Sequence, residues 1–320
     1  MDQIDLTGKL IVEKASERLD QALARTFPDY SRSRLQQWIK AGYVQIAEKI
    51  VTDNRQKVYG GEAVAINAHM QSEVHWRAQK IPLDIVFEDE EILVINKPAD
   101  LVVHPAAGNY DGTLVNGLLH YLPELESIPR AGVVHRLDKD TSGLMVVAKT
   151  LSAQNWLVNE LKSHSVERQY ECLVYGHIIA GATIDQPIGR NPRNRLQMAV
   201  VANGKASVTH FRVAEKFIDF SLLDVFLETG RTHQIRVHMS YNKHPIVGDP
   251  VYGKGVRLPK GCSDALKDAL HSFKRQALHA KRLSLVHPSS KKSIQWQVER
   301  PHDFQHLMDI LHQEGSQDVG

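Results

Sequence analysis

Gly132-Val133-Val134-His135-Arg136-Leu137-Asp138-Lys139-Asp140-Thr141-Ser142-Gly143-Leu144-Met145-Val146-Val147-Ala148-Lys149-Thr150 is the stretch from which the rest of the chain can be read. Val133-Val134 and Leu144–Ala148 are apolar runs of the kind that form buried strands. Between them lie His135, Arg136, Asp138, Lys139, Asp140, Thr141 and Ser142, and Gly143 lets the chain turn back toward the sheet. A polar loop held at both ends by core strands can fix a carboxylate rigidly, and Asp138 is the candidate. A solvated turn with a local ion pair has the same pattern. Asp140 competes as well, because alternation along an extended backbone places both carboxylates on one face. Spacing alone does not choose between them.

Moving outward, Ile85-Val86-Phe87 and Ile92–Ile95 read as two strands joined by the acidic turn 88–91, which is a solvated turn before it is a metal site. Leu114, Leu118 and Leu119 form a helical stripe over 113–121. Ser152 caps a helix that runs to about His164, with Trp156, Leu157 and Leu161 inside. Val166–Gly176 follows as a strand with Arg168, Tyr170 and Cys172 on one face. Residues 182–201 read as an irregular excursion whose segment 189–195 is basic and exposed. Strands are expected over 205–213 and 220–228.

Thr229-Gly230-Arg231-Thr232-His233-Gln234-Ile235-Arg236-Val237-His238 is the second sharp stretch: a strand end, a tight turn at Gly230, and Thr232 capping a helix from about His233. His233 and His238 are at the wrong spacing for two ligands on one helical face, so no metal site is expected.

Toward the N-terminus, Leu19, Ala22, Leu23 and Phe27 have helical spacing. After Pro28, Ser31 can cap a second helix with Leu35, Trp38 and Ile39 inside and Arg32, Arg34 and Lys40 projecting into solvent. Short strands follow at 43–46 and 63–66. Residues 69–80 lose apolar periodicity and read as a linker, which sets domains of 1–72 and 73–320.

The chain has 320 residues, 42% hydrophobic and 24% charged, enough for one large domain plus a small one. A net charge of +2 says little about partners, because a basic patch can sit on one face of a near-neutral chain. Two distant cysteines, Cys172 and Cys262, argue against a disulfide framework and a thiolate metal site. No apolar run is long enough for a membrane helix, and Met1–Leu6 lacks the pattern of a secretion signal. A cytoplasmic protein away from membranes is expected.

His135–Gly143 resembles the central motif of the RluA-type pseudouridine synthases: His-Arg-Leu-Asp, two variable residues, then Thr-Ser/Thr-Gly. Thr229–Arg236 is similar to another block of that family, and Lys97-Pro98, His104-Pro105, Gly248–Gly253 and Arg275–Ala280 continue its order. Residues 16–67 resemble an S-four-like RNA-binding domain, although Ala47-Glu48 stands where an Asn-Gly turn is common. The resemblance runs from about 16 to 300. It implies an α+β fold, a mixed and mainly antiparallel sheet with a central cleft and a small N-terminal RNA-binding domain. It also implies Asp138 as the catalytic residue, with position 140 variable, Arg231 as its ion-pair partner, Tyr170 as the residue stacking on the target base, and Arg136 as the side chain filling the place the base vacates. Ile235 is a candidate apolar floor, and Arg32 and Arg34 are candidate RNA contacts.

The family reaction breaks the N1–C1′ bond of uridine, rotates the uracil and rejoins it through C5, with no cofactor or metal. It needs a carboxylate near C1′, a grip on the detached base and exclusion of water. Attack at C1′, addition at C6 and proton abstraction are all open to such a carboxylate. Within the family the whole pattern resembles members acting on a hairpin loop of large-subunit ribosomal RNA, so that RNA, or a ribosomal subunit precursor, is the expected partner of a monomer. Two other classes remain. A glycosidase-like hydrolase would use Asp138 with Asp140 and release the base, and an RNA-binding assembly factor would have no use for Asp138, Tyr170 and Arg231.

Overall fold

The computed structural model describes residues 3–28, 30, 32–69, 76–106 and 108–317. The cap expected at Ser31 and the boundary expected at 72 lie outside the described residues.

The N-terminal part comprises β1 (Gln3–Lys9), β2 (Glu17–Arg18), α1 (Leu19–Thr26), α2 (Arg32–Lys40), β3 (Val44–Ile46), β4 (Lys49–Val51), β5 (Lys57–Val58) and β6 (Ala63–His69). The first sheet has the order β1-β6-β3-β4, and β2 pairs with β5. Leu19, Ala22 and Leu23 of α1 and Leu35, Trp38 and Ile39 of α2 are buried against Val44, Val64 and Ile66, as the helical spacing anticipates. The β3–β4 hairpin forms without Asn-Gly. Ala47 and Glu48 themselves take φ of 45° and 65°, the left-handed geometry a two-residue hairpin demands.

The larger part comprises β7 (Ile85–Glu88), β8 (Ile92–Lys97), α3 (Leu114–Tyr121), β9 (Ser142–Ala148), α4 (Leu151–Lys162), β10 (Glu167–Tyr175), β11 (Ala182–Asp185), β12 (Ile188–Arg190), β13 (Met198–Val200), β14 (Val208–Lys216), β15 (Phe220–Leu227), α5 (Gln234–Tyr241), α6 (Asp264–Ser272), β16 (Leu278–Val286), β17 (Ser293–Gln297) and α7 (His302–Gln317). The main sheet runs β11-β14-β15-β10-β16-β9-β8-β7, with β17 on β16. Every pairing is antiparallel except β16 with β9, which meet in parallel at His279↔Ser142 and Ala280↔Gly143. The expected α+β class with a mixed, mainly antiparallel sheet is the observed one.

Both faces of this sheet are covered, which is why β8 and β9 read as unbroken apolar runs. Leu93, Ile95, Met145 and Val147 face a core shared with α3, α5, α6 and α7. Ile92, Val94, Leu144 and Val146 face Ala153 and Leu157 of α4. The cap of α4 is Thr150, which accepts Ala153 N at 3.1 Å, rather than Ser152. The acidic turn is structural: Asp89 accepts Glu91 N and Ile92 N, each at 2.8 Å, and Glu88 pairs with Lys149. The excursion over 182–201 contains β11 and the β12–β13 ribbon, so it is less irregular than its sequence suggests.

Val133-Val134 is not a strand. Pro129–Gly132 forms a tight turn with Arg130 and Ala131 in left-handed conformations, and only Val133 bridges to Val147. Beyond the two residues that β16 pairs, the open edge of β9 is thus closed by the loop itself, with His135 Nε2 accepting Val146 N at 3.1 Å. Among the described residues no helix is long and apolar enough to cross a membrane.

Candidate active site

The loop carrying Asp138 is fastened from four directions. Lys97, 1% exposed, ends β8 and gives its three donors to the carbonyls of Pro98 (2.7 Å), Leu101 (2.9 Å) and Lys139 (2.8 Å). Burial pushes its pKa down to about 7, against the opposing pull of Asp140 and Asp138. Gln276 donates to Thr141 Oγ1 at 2.9 Å, Ser142 Oγ meets His279 Nδ1 at 2.9 Å, and Arg275 Nη1 reaches Asp140 O at 3.2 Å. Arg275 is itself held by both oxygens of Asp303. Gly143, at φ 116°, passes so close to Ala280 that a Cβ would overlap that backbone. Thr141, Ser142 and Gly143 are therefore tied to the stretch 275–280, which places Asp138 without touching it.

The second loop, between β15 and α5, is organised by Gln234. Its side-chain oxygen accepts Thr229 Oγ1 at 2.7 Å and Arg231 N at 3.0 Å, and its amide donates to Val208 O and Thr209 Oγ1. Helix α5 starts at Gln234. Its N-cap is His233, left-handed at φ 56° with no side-chain cap, so Thr232 is not the cap.

This start decides which arginine meets Asp138. Arg236, in the first turn, donates from Nη1 to Asp138 Oδ2 at 3.0 Å, while its Nε and Nη2 take both oxygens of buried Asp249 at 2.7 and 3.0 Å. Asp249 also accepts Val251 N and Tyr252 N. Two carboxylates push the pKa of Arg236 up despite its burial. Arg231, expected to be the partner, instead turns Nε to Ala206 O at 3.2 Å from an exposed position ahead of the helix. On the other side of the carboxylate, His233 Nε2 is 3.9 Å from Asp138 Oδ1. Its Nδ1 is 2.8 Å from Tyr252 Oη, which accepts Met198 N at 3.0 Å. Burial pushes the pKa of His233 down, so a neutral ring stands beside the carboxylate.

Asp138, with its side chain 17% exposed, opens onto a cavity of about 550 Å³ whose lining includes Arg136, Tyr170, Arg168, Arg231, His233 and Ile235. Tyr170 and Ile235 are buried at 5% and 4% exposure, and Arg136 is exposed. Burial pushes the Tyr170 phenol up. The sequence-derived set thus converges on one cavity, apart from Arg32 and Arg34 on α2. Arg32 does not simply project into solvent: its Nε and Nη2 grip Asp20 Oδ2 at 3.0 and 2.7 Å, and Asp20 is fully buried. Sequence reasoning passed over Arg236, Asp249, Lys97 and Tyr252. Each stood inside a quoted block, but nothing in its spacing named its partner. His238 bonds Thr209 Oγ1 and Gln186 O with its two nitrogens, which is a structural use.

The family profile described as RNA pseudouridylate synthase matches residues 91–241, and the profile described as S4 domain matches residues 17–64. Over 309 residues the chain is 52% identical to the ribosomal large subunit pseudouridine synthase D of Escherichia coli strain K12, covering 97% of this chain and 95% of that protein. It is 50% identical, with the same coverage, to the protein of that name from Vibrio parahaemolyticus. Among solved structures, human RNA pseudouridylate synthase domain containing 1 matches with a TM-score of 0.54 at 28% identity, over 70% of this chain and 86% of that one. Human RNA pseudouridylate synthase domain containing 4, at 24% identity and a TM-score of 0.56 over 72% and 93%, shares the fold.

Proposed function

Since this chain belongs to the RNA pseudouridylate synthase family, whose reaction is the isomerisation of uridine to pseudouridine in RNA, we propose that it modifies uridines of large-subunit ribosomal RNA and that Asp138 is its reacting carboxylate. The observation that carries the reading is the bond from Arg236 to Asp138 at 3.0 Å at the wall of the cavity. A guanidinium there fixes the direction of the carboxylate.

The cavity suits one nucleoside rather than a helix, since ligand sites span about 300–1,000 Å³. The target must therefore leave its stack, at a cost of a few kcal/mol, which is lowest in a loop. Stacking on the Tyr170 ring returns about 1–3 kcal/mol, and Ile235 supplies an apolar floor. Arg136, exposed at the mouth, fills the space the base leaves. The reaction is redox-neutral: the N1–C1′ bond breaks, the ring turns, C5 bonds to C1′, the C5 proton is lost and N1 is protonated. Asp138 serves C1′, C6 or a sugar proton.

Residues 1–72 form the RNA-docking domain and residues 73–320 the catalytic domain in this reading. The S4 domain match and the separate core of the N-terminal part support it. The protein works as a monomer in the cytoplasm, on free RNA or a ribosomal subunit precursor. The test is incubation with large-subunit ribosomal RNA and no cofactor. Pseudouridine is expected, absent in Asp138→Asn although RNA affinity stays within about threefold. Base release would make the protein a hydrolase, and binding without chemistry an assembly factor.

A further inference from the structure

Among the described residues Arg168 is a buried cation with no counter-ion. It lies on β10 two residues before Tyr170, on the same face of the strand, and is 9% exposed. Its one hydrogen bond, Nη2 to Leu227 O, is long at 3.4 Å, and its Nε has no partner. Among the described residues no carboxylate pairs with it. The other buried arginines are all paired: Arg236 with Asp138 and Asp249, and Arg275 with Asp303. The nearest rings, His135 and Tyr170, carry no charge to offset it, since burial pushes the imidazole down and the phenol up. The guanidinium lines the cavity onto which Asp138 opens. Gly230 makes room for it, since a Cβ at that position would stand 3.0 Å from Nη1. A buried charge left unpaired in an otherwise well-paired protein points to a partner that arrives with the substrate.

We propose that Arg168 is a catalytic residue that binds the carbonyl edge of the flipped uracil and takes up the negative charge which that ring acquires during the reaction. The assignment rests on the reading that this cavity receives the target uridine. The charge arises by every route open to Asp138. If the N1–C1′ bond breaks, its electron pair stays on N1 and spreads onto O2 and O4. C1′ is then satisfied by a bond to a carboxylate oxygen of Asp138 or by loss of the C2′ proton to it. If the carboxylate instead adds to C6, the ring electrons move onto O4. When C5 bonds to C1′, the carboxylate is released from C1′ or C6, or, where it took the C2′ proton, returns that proton to C2′; the C5 proton leaves, N1 gains a proton and the ring is neutral again. The anion is transient. A permanent carboxylate on Arg168 would compete with it and lower the ground state, whereas an unpaired guanidinium is strongest when the ring is charged. Tyr170 and Arg168, one pleat apart on one face, thus divide the work: the phenol ring covers the face of the base and the guanidinium meets its edge.

The test compares native protein, Arg168→Met, Arg168→Lys and Asp138→Asn in single-turnover reactions on large-subunit ribosomal RNA. Arg168→Met should slow conversion by about 10²–10³-fold, with RNA Kd within about twofold, and Arg168→Lys should recover about tenfold of that loss. Melting temperature should hold or rise in Arg168→Met, because an unpaired buried charge has been removed. RNA carrying 5-fluorouridine at the target gives a more acidic free base. Bond cleavage, read as consumption of that nucleotide, should suffer about tenfold less from Arg168→Met than it does with uridine. A normal rate in Arg168→Met beside an inactive Asp138→Asn overturns this assignment alone. So does a lowered melting temperature with equal loss on both substrates, which marks a structural brace. No product from native protein overturns the reading of the site and this assignment with it.

Discussion

Arg236 and Asp138 meet at 3.0 Å across 98 positions of sequence, and the meeting is steered from behind by Asp249. Because Nε and Nη2 of Arg236 are committed to Asp249, only Nη1 is left, and it can point only one way. A lysine ammonium cannot reproduce the two-pronged grip on Asp249 and reach Asp138 at the same time. Arg236→Lys should therefore lower kcat by about 10²-fold or more while RNA Kd changes little. Arg231→Ala removes a side chain whose guanidinium, among the described residues, reaches Ala206 O and no carboxylate, and should cost less than about tenfold in kcat. Single-turnover rates on both variants decide the matter. An active Arg236→Lys beside an inactive Arg231→Ala would return the pairing to the arginine that the sequence suggested.

Lys97 carries the second prediction. Its ammonium holds Lys139 O, the carbonyl one residue past Asp138, together with two carbonyls at the end of β8. Lys97→Met keeps the stem and strands three acceptors, each of which costs on the order of 1 kcal/mol or more when buried. A loss of about 2–4 kcal/mol in denaturant unfolding is expected, with a fall in kcat larger than any change in RNA affinity because the loop bearing Asp138 loosens. Unchanged stability would show that water replaces the ammonium.

What the sequence disclosed and what it hid divide along a physical line. Continuous apolar runs such as Ile92–Ile95 and Leu144–Ala148 are dictated by burial on both faces, and they were legible. The convergence of the two polar stretches came only from the resemblance, because no spacing links positions so far apart in sequence. The choice between Arg231 and Arg236 was not legible. Thr232 has the chemistry of a cap, but Gln234 draws the loop together through Thr229, Val208 and Thr209, and His233 becomes a left-handed N-cap. That shift leaves Arg231 ahead of the helix and turns Arg236 inward. Arg32 was hidden in the same way, because its partner Asp20 lies in the preceding helix and spacing carries no sign of its burial. Arg168 read as one residue of a strand face. That it lacks a partner is a property of the packed molecule.

The β3–β4 hairpin gives a prediction about stability alone. Ala47 and Glu48 both hold positive φ, which costs a residue with a Cβ about 1 kcal/mol or more relative to Asn-Gly. The double change Ala47→Asn with Glu48→Gly should raise the stability of the N-terminal part by about 1–2 kcal/mol and leave the rate on a saturating RNA unchanged. Thermal melting of the two proteins side by side is the check, and a lower midpoint in the variant would mean that the Glu48 side chain contributes more than the backbone strain removes.

Histidines in the larger part set the acid limit of the fold. Burial pushes His135 down to about 3 and His104 and His279 down to about 4, and moves His233 and His238 in the same direction. In the unfolded chain each regains an ordinary value of about 6.5. Below that pH the unfolded state binds protons the folded state refuses, so stability falls as pH drops, by up to about 1.4 kcal/mol per pH unit for each such ring. The paired carboxylates Asp20, Glu171 and Asp303, whose values are lowered, add their own loss only further down, where unfolded carboxyl groups begin to protonate. The window from about pH 6.5 to 5 therefore belongs to the histidines. His104, whose Nε2 has no partner among the described residues, is the ring to remove. His104→Leu should flatten the slope of unfolding free energy across that window by about one proton's worth, measured by urea unfolding at several pH values. An unaltered slope would mean that His104 already takes up its proton in the folded protein.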